Sequence, residues 1–233
     1  MKIIKSNFLV VNQFHYDVSW VEKYTDNYVI YDKGDTENES EKVIKLPNIG
    51  HNLHTYFHHI IENYDSLPDV LIFVKGDVFP RHCTEEKFLK VINNTEFTTL
   101  ESYEDVDTSG NSAMRLTSEG GYMEINNSWY VPNHVSRYFT NYNRFLQTIF
   151  VNPQIPQWVR FAPGANYIVP KENILRYEKR FYEKLNSYID YDASKEECAG
   201  REKIPAECHI IERALYTIWT SNYKVREEIY DSK

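Results

Sequence analysis

The most suggestive residues follow a short apolar run. Residues 70–74 are continuously apolar, and Lys75, Gly76 and Asp77 come directly after them, with Arg81 and His82 one turn further on. A buried strand that ends in a charged turn is where open α/β sheets place their ligands. A carboxylate there can bind a cation, and its cationic neighbours can bind an anion. The competing reading is that Gly76 and Asp77 only satisfy backbone groups in a turn. Two carboxylates lie on the last apolar-periodic segment, Glu207 in its first turn and Glu212 beside Ile211. Being five apart, they point in different directions from one helix, so only one of them can face a given cleft. His54, His58 and Glu62 recur four apart, a spacing that zinc hydrolases use, although His-Glu-x-x-His is absent. Cys198, Cys208 and His209 contain no paired Cys-x-x-Cys set, and neither a Gly-x-Ser-x-Gly motif nor a phosphate-binding P-loop occurs.

These residues need elements to position them. Short apolar runs at residues 8–11, 28–31 and 70–74 have the pattern of buried strands, and a glycine-led strand is expected over residues 164–169. Leu53, Phe57, Ile60, Ile61 and Tyr64 recur at helical spacing, which predicts a helix over 52–64 after Gly50. Thr84 is a candidate N-cap for a helix reaching about Asn93. Further helices are predicted over 137–150, from Pro170 to Ile189 in one piece, and onward from Pro205. Residues 95–128 read as loops and small strands, 36–42 as an exposed loop, and 190–203 as a charged linker. Strands alternating with helices predict an α/β domain, and no more than that follows from the pattern; its expected form is a central mixed, mostly parallel sheet flanked by helices.

The whole chain bounds the answer. Its 233 residues suit one domain, and 42% hydrophobic with 26% charged residues can support a packed core. Aromatic residues reach 15%, with 19 Tyr, so rings are available both for the core and for a cleft wall. A net charge of −8 argues against a nucleic acid polymer as partner. Three cysteines without a disulfide pattern suit a reducing compartment. No run approaches the roughly 20 apolar residues of a membrane span, and the run at 8–11 is too short for a signal-peptide core, so the expectation is a cytoplasmic protein.

Beyond these patterns the sequence resembles a family of domains of unknown function related to GT-A glycosyltransferases. The resemblance begins at residues 10–20, with Asp17, Ser19 and Trp20, and passes through residues 31–34. Its most specific part runs from Leu46, Pro47, Asn48, Ile49 and Gly50 through His54, Thr55 and Tyr56 to residues 73–77, in the family's order and spacing. Residues 164–174, Phe181, Tyr182, Glu212 and Arg213 carry it through the second half.

The resemblance implies a single GT-A-like, Rossmann-related domain, with residues 1–94 as the nucleotide-binding half and 95–233 as the acceptor-side half. It implies an enzyme that moves a sugar from a nucleotide-sugar donor to a glycan or other hydroxyl acceptor, assisted by Mn²⁺ or Mg²⁺ at the leaving diphosphate. On this reading Asp77 is catalytic, with Glu212 or Glu207 as base. The donor-binding residues would be Asn12, His15, Asp17, Lys33, Asn48, Gly50, His54, Tyr56, Lys75 and Gly76. Gly164, Ala165, Asn166 and Trp158 would line the acceptor side, with Trp129 and Tyr130 as further stacking platforms. The metal ligands would be Asp77 with His82 and a distant histidine, His209 or His134. The sequence has one carboxylate where the Asp-x-Asp of GT-A enzymes has two, so Lys75 and Arg81 are an alternative to the cation. Two other readings stand beside this one: a nucleotide-sugar or carbohydrate-binding protein of the same fold without turnover, and a zinc hydrolase.

Overall fold

The computed structural model describes residues 2–34, 40–100, 114–116, 121–126, 134–192 and 204–231. The first part of the chain forms β1 (Phe8–Gln13), α1 (Val21–Tyr24), β2 (Tyr28–Asp32), β3 (Val43–Lys45), α2 (His51–Glu62), β4 (Val70–Lys75) and α3 (Glu85–Val91). There follow β5 (Thr98–Thr99), β6 (Met114–Leu116), β7 (Tyr122–Ile125), α4 (Tyr142–Ile149), β8 (Trp158–Phe161) and β9 (Tyr167–Pro170). The chain then adds α5 (Lys171–Ile174), α6 (Lys179–Ser187), α7 (Ala206–Thr220) and α8 (Glu228–Asp231).

Six strands form the main sheet in the order β3-β2-β1-β4-β9-β5, and β6-β7-β8 form a second sheet. The pairs among β3, β2, β1 and β4 are parallel, and β9 runs antiparallel to both β4 and β5. The main sheet is therefore mixed and mostly parallel, as expected.

The period of two along each strand builds two cores. Val10, Leu71, Phe73, Tyr167 and Val169 face one way, onto Leu53, Phe57 and Ile60 of α2, Phe181 and Leu185 of α6, and Ile211, Ile218 and Trp219 of α7. Leu9, Val11, Ile72, Val74 and Ile168 face the other way, onto Val21 and Tyr24 of α1 and Phe88 of α3. Strands with helices on both faces must be apolar on both faces, which is why residues 70–74 show no alternation in sequence. Phe73 stacks on Trp219 at 5.7 Å between centroids, and burying such a ring contributes about 2 to 3 kcal/mol. The first core draws on residues from both sides of position 95, so the two halves share it.

Several boundaries differ from the sequence reading. The helix expected over 137–150 begins only at Tyr142, capped by Asn141, whose side chain accepts from the Arg144 amide at 3.0 Å. The helix expected from Pro170 to Ile189 is broken into α5 and α6, and Pro170 itself ends β9. Residues 158–161, between prolines, form β8. The short strand β3 follows directly on the 36–42 stretch that reads as an exposed loop, and no strand is expected there. Thr84 caps α3 as expected, accepting from the Lys87 amide. No helix among the described residues is long and apolar enough to cross a membrane.

Candidate functional site

Parallel strands bring the carboxyl ends of β1, β2 and β4 to one edge of the sheet. The Gly76 amide donates to the Asn12 carbonyl at 2.8 Å and the Lys33 amide to the Gln13 carbonyl at 2.9 Å, which lock the three strand exits together. Because β9 is antiparallel to β4, with Phe73 opposite Tyr167, the start of β9 lies beside the end of β4. Residues 91 apart in sequence meet there, and the Lys75 amide donates to Asn166 Oδ1 at 2.9 Å.

Backbone conformations with positive φ gather around this edge. They occur at His15 after β1, at Gly50 and His51 before α2, and at Gly164 and Ala165 before β9. Three of these are not glycine, and such conformations persist only where surrounding contacts enforce them. At Gly164 no side chain would fit, since a Cβ would lie 2.8 Å from His82 Cε1. The Asn52 side chain donates to the Gly164 carbonyl, tying α2 to the same turn.

Asp77 is paired on both sides, with Lys75 Nζ 3.5 Å from Oδ1 and Arg81 Nη1 3.0 Å from Oδ2. Burial opposes its ionisation, but Lys75, Arg81 and His82 outweigh that and hold its pKa below the usual carboxylate range. Oδ1 is buried and accepts no hydrogen bond. Tyr16 stands next to it, and its phenol is pushed up by burial and by the Asp77 charge. Sequence reasoning passed over Tyr16, whose signal was its place in the polar segment leaving β1.

The buried ring of His82 packs against Gly164. His209 is set against His134, with ring centroids 4.3 Å apart, and 6.2 Å from His51, whereas the charged neighbours of Asp77 are Lys75, His82 and Arg81. Of the expected metal ligands the fold thus joins Asp77 and His82, and places His209 in another cluster. Among the described residues no group of three or more His, Cys, Asp or Glu is arranged to hold a metal ion. Asp77 Oδ1, buried without a hydrogen bond beside Lys75, could serve as the single protein ligand through which Mg²⁺ is often held together with substrate phosphates. The His54, His58 and Glu62 stripe does not converge either. His54 is buried and stacks on His58 at 6.2 Å, while Glu62 is exposed. The zinc reading is left without a ligand set among the described residues.

The two candidate bases have different fates. Glu212 accepts from the Gly164 amide at 3.1 Å, and burial pushes its pKa up to about 7 against the pull of Lys75 and that amide, with Glu124 adding to the rise. A carboxyl group tuned near neutrality, close enough to Lys75 to feel its charge and bonded to the turn that leads into Asn166, suits proton transfer. Tyr56, fully buried beside Asn52, feels the charges of both Glu212 and Asp77, which with burial raise its pKa. Glu124 pairs with Arg213, whose guanidinium lies over the Phe161 ring at 4.4 Å.

Glu207, also fully buried, is consumed by structure. Its Oε1 accepts from the amides of Arg137 at 2.9 Å, Tyr138 at 2.7 Å and Phe139 at 3.3 Å, and its Oε2 from the Tyr191 hydroxyl at 2.8 Å. These bonds correct its expected role as a base: it anchors the 136–139 turn, which precedes α4. Glu212 is the base candidate that lies near Lys75.

The remaining expected residues also have definite places. Asp17 is exposed and accepts from the Ser19 amide at 2.9 Å, in the turn that leads into α1. The His15 ring lies against Phe14 at 4.3 Å. Gly76 packs under Tyr16 and Val18, and its carbonyl accepts from Trp20 Nε1 at 3.1 Å. Trp158 opens β8 opposite Ile125, in the second sheet. Trp129, Tyr130 and Cys198 lie outside the described residues.

Two recesses flank the strand ends. One, of about 350 Å³, is lined by Asn12, Tyr16, Lys33, Asn48, Gly50 and Asn52 among others. The second, of about 370 Å³, is lined by Gln13, Tyr16, Asp17, Tyr28 and Asp32 among others. Neither is lined by Asp77, but Tyr16 borders both and adjoins Asp77. Lys33 is buried, and its ammonium donates to the carbonyls of Ile49, at 2.6 Å, and His51. Burial pulls its pKa down to about 7, with Cys208 acting weakly in the opposite sense.

An α/β protein with a polar recess at the carboxyl edge of its sheet is the class that fold and site define. The chain belongs to the family described as Protein of unknown function (DUF3431), whose model matches residues 9–220. No curated protein and no solved structure matches it.

Proposed function

We propose that this protein is a GT-A-like glycosyltransferase that moves a sugar from a nucleotide-sugar donor to a hydroxyl of a glycan or glycoconjugate. The observation that carries the proposal is the gathering of two carboxylates around Lys75 at the end of β4: Asp77, paired with Lys75 and Arg81, and Glu212, which feels the Lys75 charge, accepts from the Gly164 amide and has its pKa near neutrality. The sheet order, with one antiparallel strand inserted beside β4, accords with the resemblance in sequence.

In this reading the donor lies along the strand exits, its nucleoside over the segment carrying His15 and Asp17 and its diphosphate toward Lys75, Asp77 and Arg81. Ionised Glu212 takes the proton of the acceptor hydroxyl, and that oxygen attacks the anomeric carbon. The bond from the anomeric carbon to the diphosphate oxygen breaks, and its electron pair leaves with the nucleoside diphosphate. Lys75 and Arg81 stabilise the charge that develops there. Mn²⁺ or Mg²⁺, when bound, would add Lewis-acid neutralisation of the diphosphate, with Asp77 Oδ1 as its protein ligand. Asn166 and the Gly164–Ala165 turn border the acceptor side.

Calorimetry with a panel of nucleotide sugars, in Mn²⁺ and in EDTA, tests the proposal. At least one donor is expected to bind, and Asp77→Ala to abolish that binding. If none binds in either condition, the transferase reading falls. The single carboxylate at Asp77 favours a second reading, a binding protein of the same fold without turnover. Slow donor hydrolysis, followed by ³¹P NMR, would exclude it.

A further inference from the structure

We propose that the recess of about 350 Å³ beside the N-terminus of α2 is a binding site for the phosphate group of a compact phosphorylated acceptor, with Lys33, the Asn12 amide and the first-turn amides of α2 as its donors. This rests on the transferase reading only for the word acceptor. The anion site stands on its own geometry.

Four observations point to an anion. Lys33 is 6% exposed and lines the recess, and no carboxylate pairs with its ammonium among the described residues. Burying a cation without a counter-charge is costly, and an incoming anion removes that cost. The two backbone carbonyls it meets use two of its three protons and leave one to donate.

Asn12 is 5% exposed and lines the same recess. Its Oδ1 accepts from the Thr55 hydroxyl at 2.7 Å, while its amide nitrogen makes no hydrogen bond among the described residues. That nitrogen is not fully enclosed, so it can donate into the recess to a ligand that brings an acceptor.

The third observation is α2 itself, a helix of 12 residues whose N-cap is Gly50 in the left-handed conformation. No side chain caps it, and its first turn has no acidic residue. Its leading amides and its dipole are therefore available to negative charge. The fourth is size and lining. About 350 Å³ is at the small end of small-molecule sites and exceeds what a bare phosphate needs, and Phe14 and Tyr191 add aromatic wall on which a sugar ring can pack. The carboxylate at this recess, Asp192, is exposed at its rim.

The residues that the sequence groups with the donor thus divide into two sets. Lys75, Asp77 and Arg81 serve the diphosphate, whereas Lys33, Asn48 and Gly50 serve a second anion. Tyr16 adjoins both, so an acceptor anchored by its phosphate on Lys33 extends its hydroxyl toward Asp77 and Glu212.

Titration with inorganic phosphate and with a sugar monophosphate, read by calorimetry and by amide NMR shifts, tests this. Phosphate is expected to shift the amides of Gly50, His51 and Asn52 and to leave those of Gly76 and Asp77 in place. The sugar monophosphate is expected to bind at least tenfold more tightly than phosphate, and Lys33→Met to weaken both at least tenfold. Unchanged affinity in Lys33→Met, or shifts confined to Gly76 and Asp77, would overturn the assignment. The amide shifts in the wild type decide the matter if Lys33→Met fails to fold. Nucleotide-sugar binding without phosphate binding would remove this site and spare the transferase reading. Phosphate binding at α2 in a protein that binds no nucleotide sugar would do the reverse.

Discussion

Replacing Glu207 separates an anchor from a base. In Glu207→Ala the amides of Arg137, Tyr138 and Phe139 and the Tyr191 hydroxyl all lose this acceptor. Arg137 and Tyr138 are exposed, so water replaces the carboxylate for them at small cost. The bond from the Phe139 amide is buried, and that group left unpaired costs about 1 to 3 kcal/mol, whereas the Tyr191 hydroxyl keeps the Val135 carbonyl, at 3.3 Å, as an acceptor. Together with the lost charge-assisted bonds, the expected destabilisation is about 2 to 4 kcal/mol. That is a large share of the ~5 to 15 kcal/mol that holds a typical domain folded. Glu207→Gln retains one carbonyl oxygen for the amides and can turn its NH₂ toward Tyr191, so it should cost about 1 to 2 kcal/mol. Urea unfolding followed by circular dichroism measures both values. Turnover per folded molecule should survive in Glu207→Gln, since Gln keeps the anchor. A loss below about 1 kcal/mol in Glu207→Ala, or a catalytically dead but fully stable Glu207→Gln, would refute the assignment.

The other perturbations act nearer the recess. Glu212→Gln should lower transfer by about 10² to 10⁴-fold, and in the wild type the rate should rise with pH through about 7, as the base ionises. A flat profile would count against Glu212. The folded-state pKa of this carboxyl is raised, so its stabilising contribution is complete below the unfolded value near 4.5 and is lost as pH rises through about 7. That loss amounts to about 3 kcal/mol at most, and Glu212→Gln should remove it from the stability–pH curve. Gly164→Ala, at φ 79° with His82 in the way, should destabilise by about 2 kcal/mol or more and impair turnover. A neutral effect in thermal unfolding would show that this turn can relax.

Local sequence determined much of the scaffold. The apolar runs at 8–11, 28–31 and 70–74 became β1, β2 and β4, because a strand covered on both faces needs every side chain apolar. The periodic stretches after Gly50 and Pro205 became α2 and α7 for the corresponding reason in a helix with one buried stripe. The position of Asp77 at a strand exit was equally legible, since it follows directly from the run before it.

Other features depended on partners far away in the chain. Glu207 and Glu212 sit on one helix with similar local surroundings, and nothing local tells the anchor from the candidate base. The difference lies in the 136–139 amides, some 70 residues earlier, which meet one carboxylate, and in the Gly164 amide, which meets the other. The helix expected from residue 137 begins instead at Tyr142, behind the Asn141 cap and after the 136–139 turn that this distant carboxylate holds. Tyr16 gained its place only when β1 and β4 became neighbours, and Asn166 gained its place only because β9 runs backwards beside β4. Sequence alone determined the principal strands β1, β2 and β4, the helices α2 and α7, and where charge meets a strand end. The tertiary structure decided the remaining boundaries and which of those charges lie together, because burial and hydrogen-bond partners come from segments that the chain brings together only on folding.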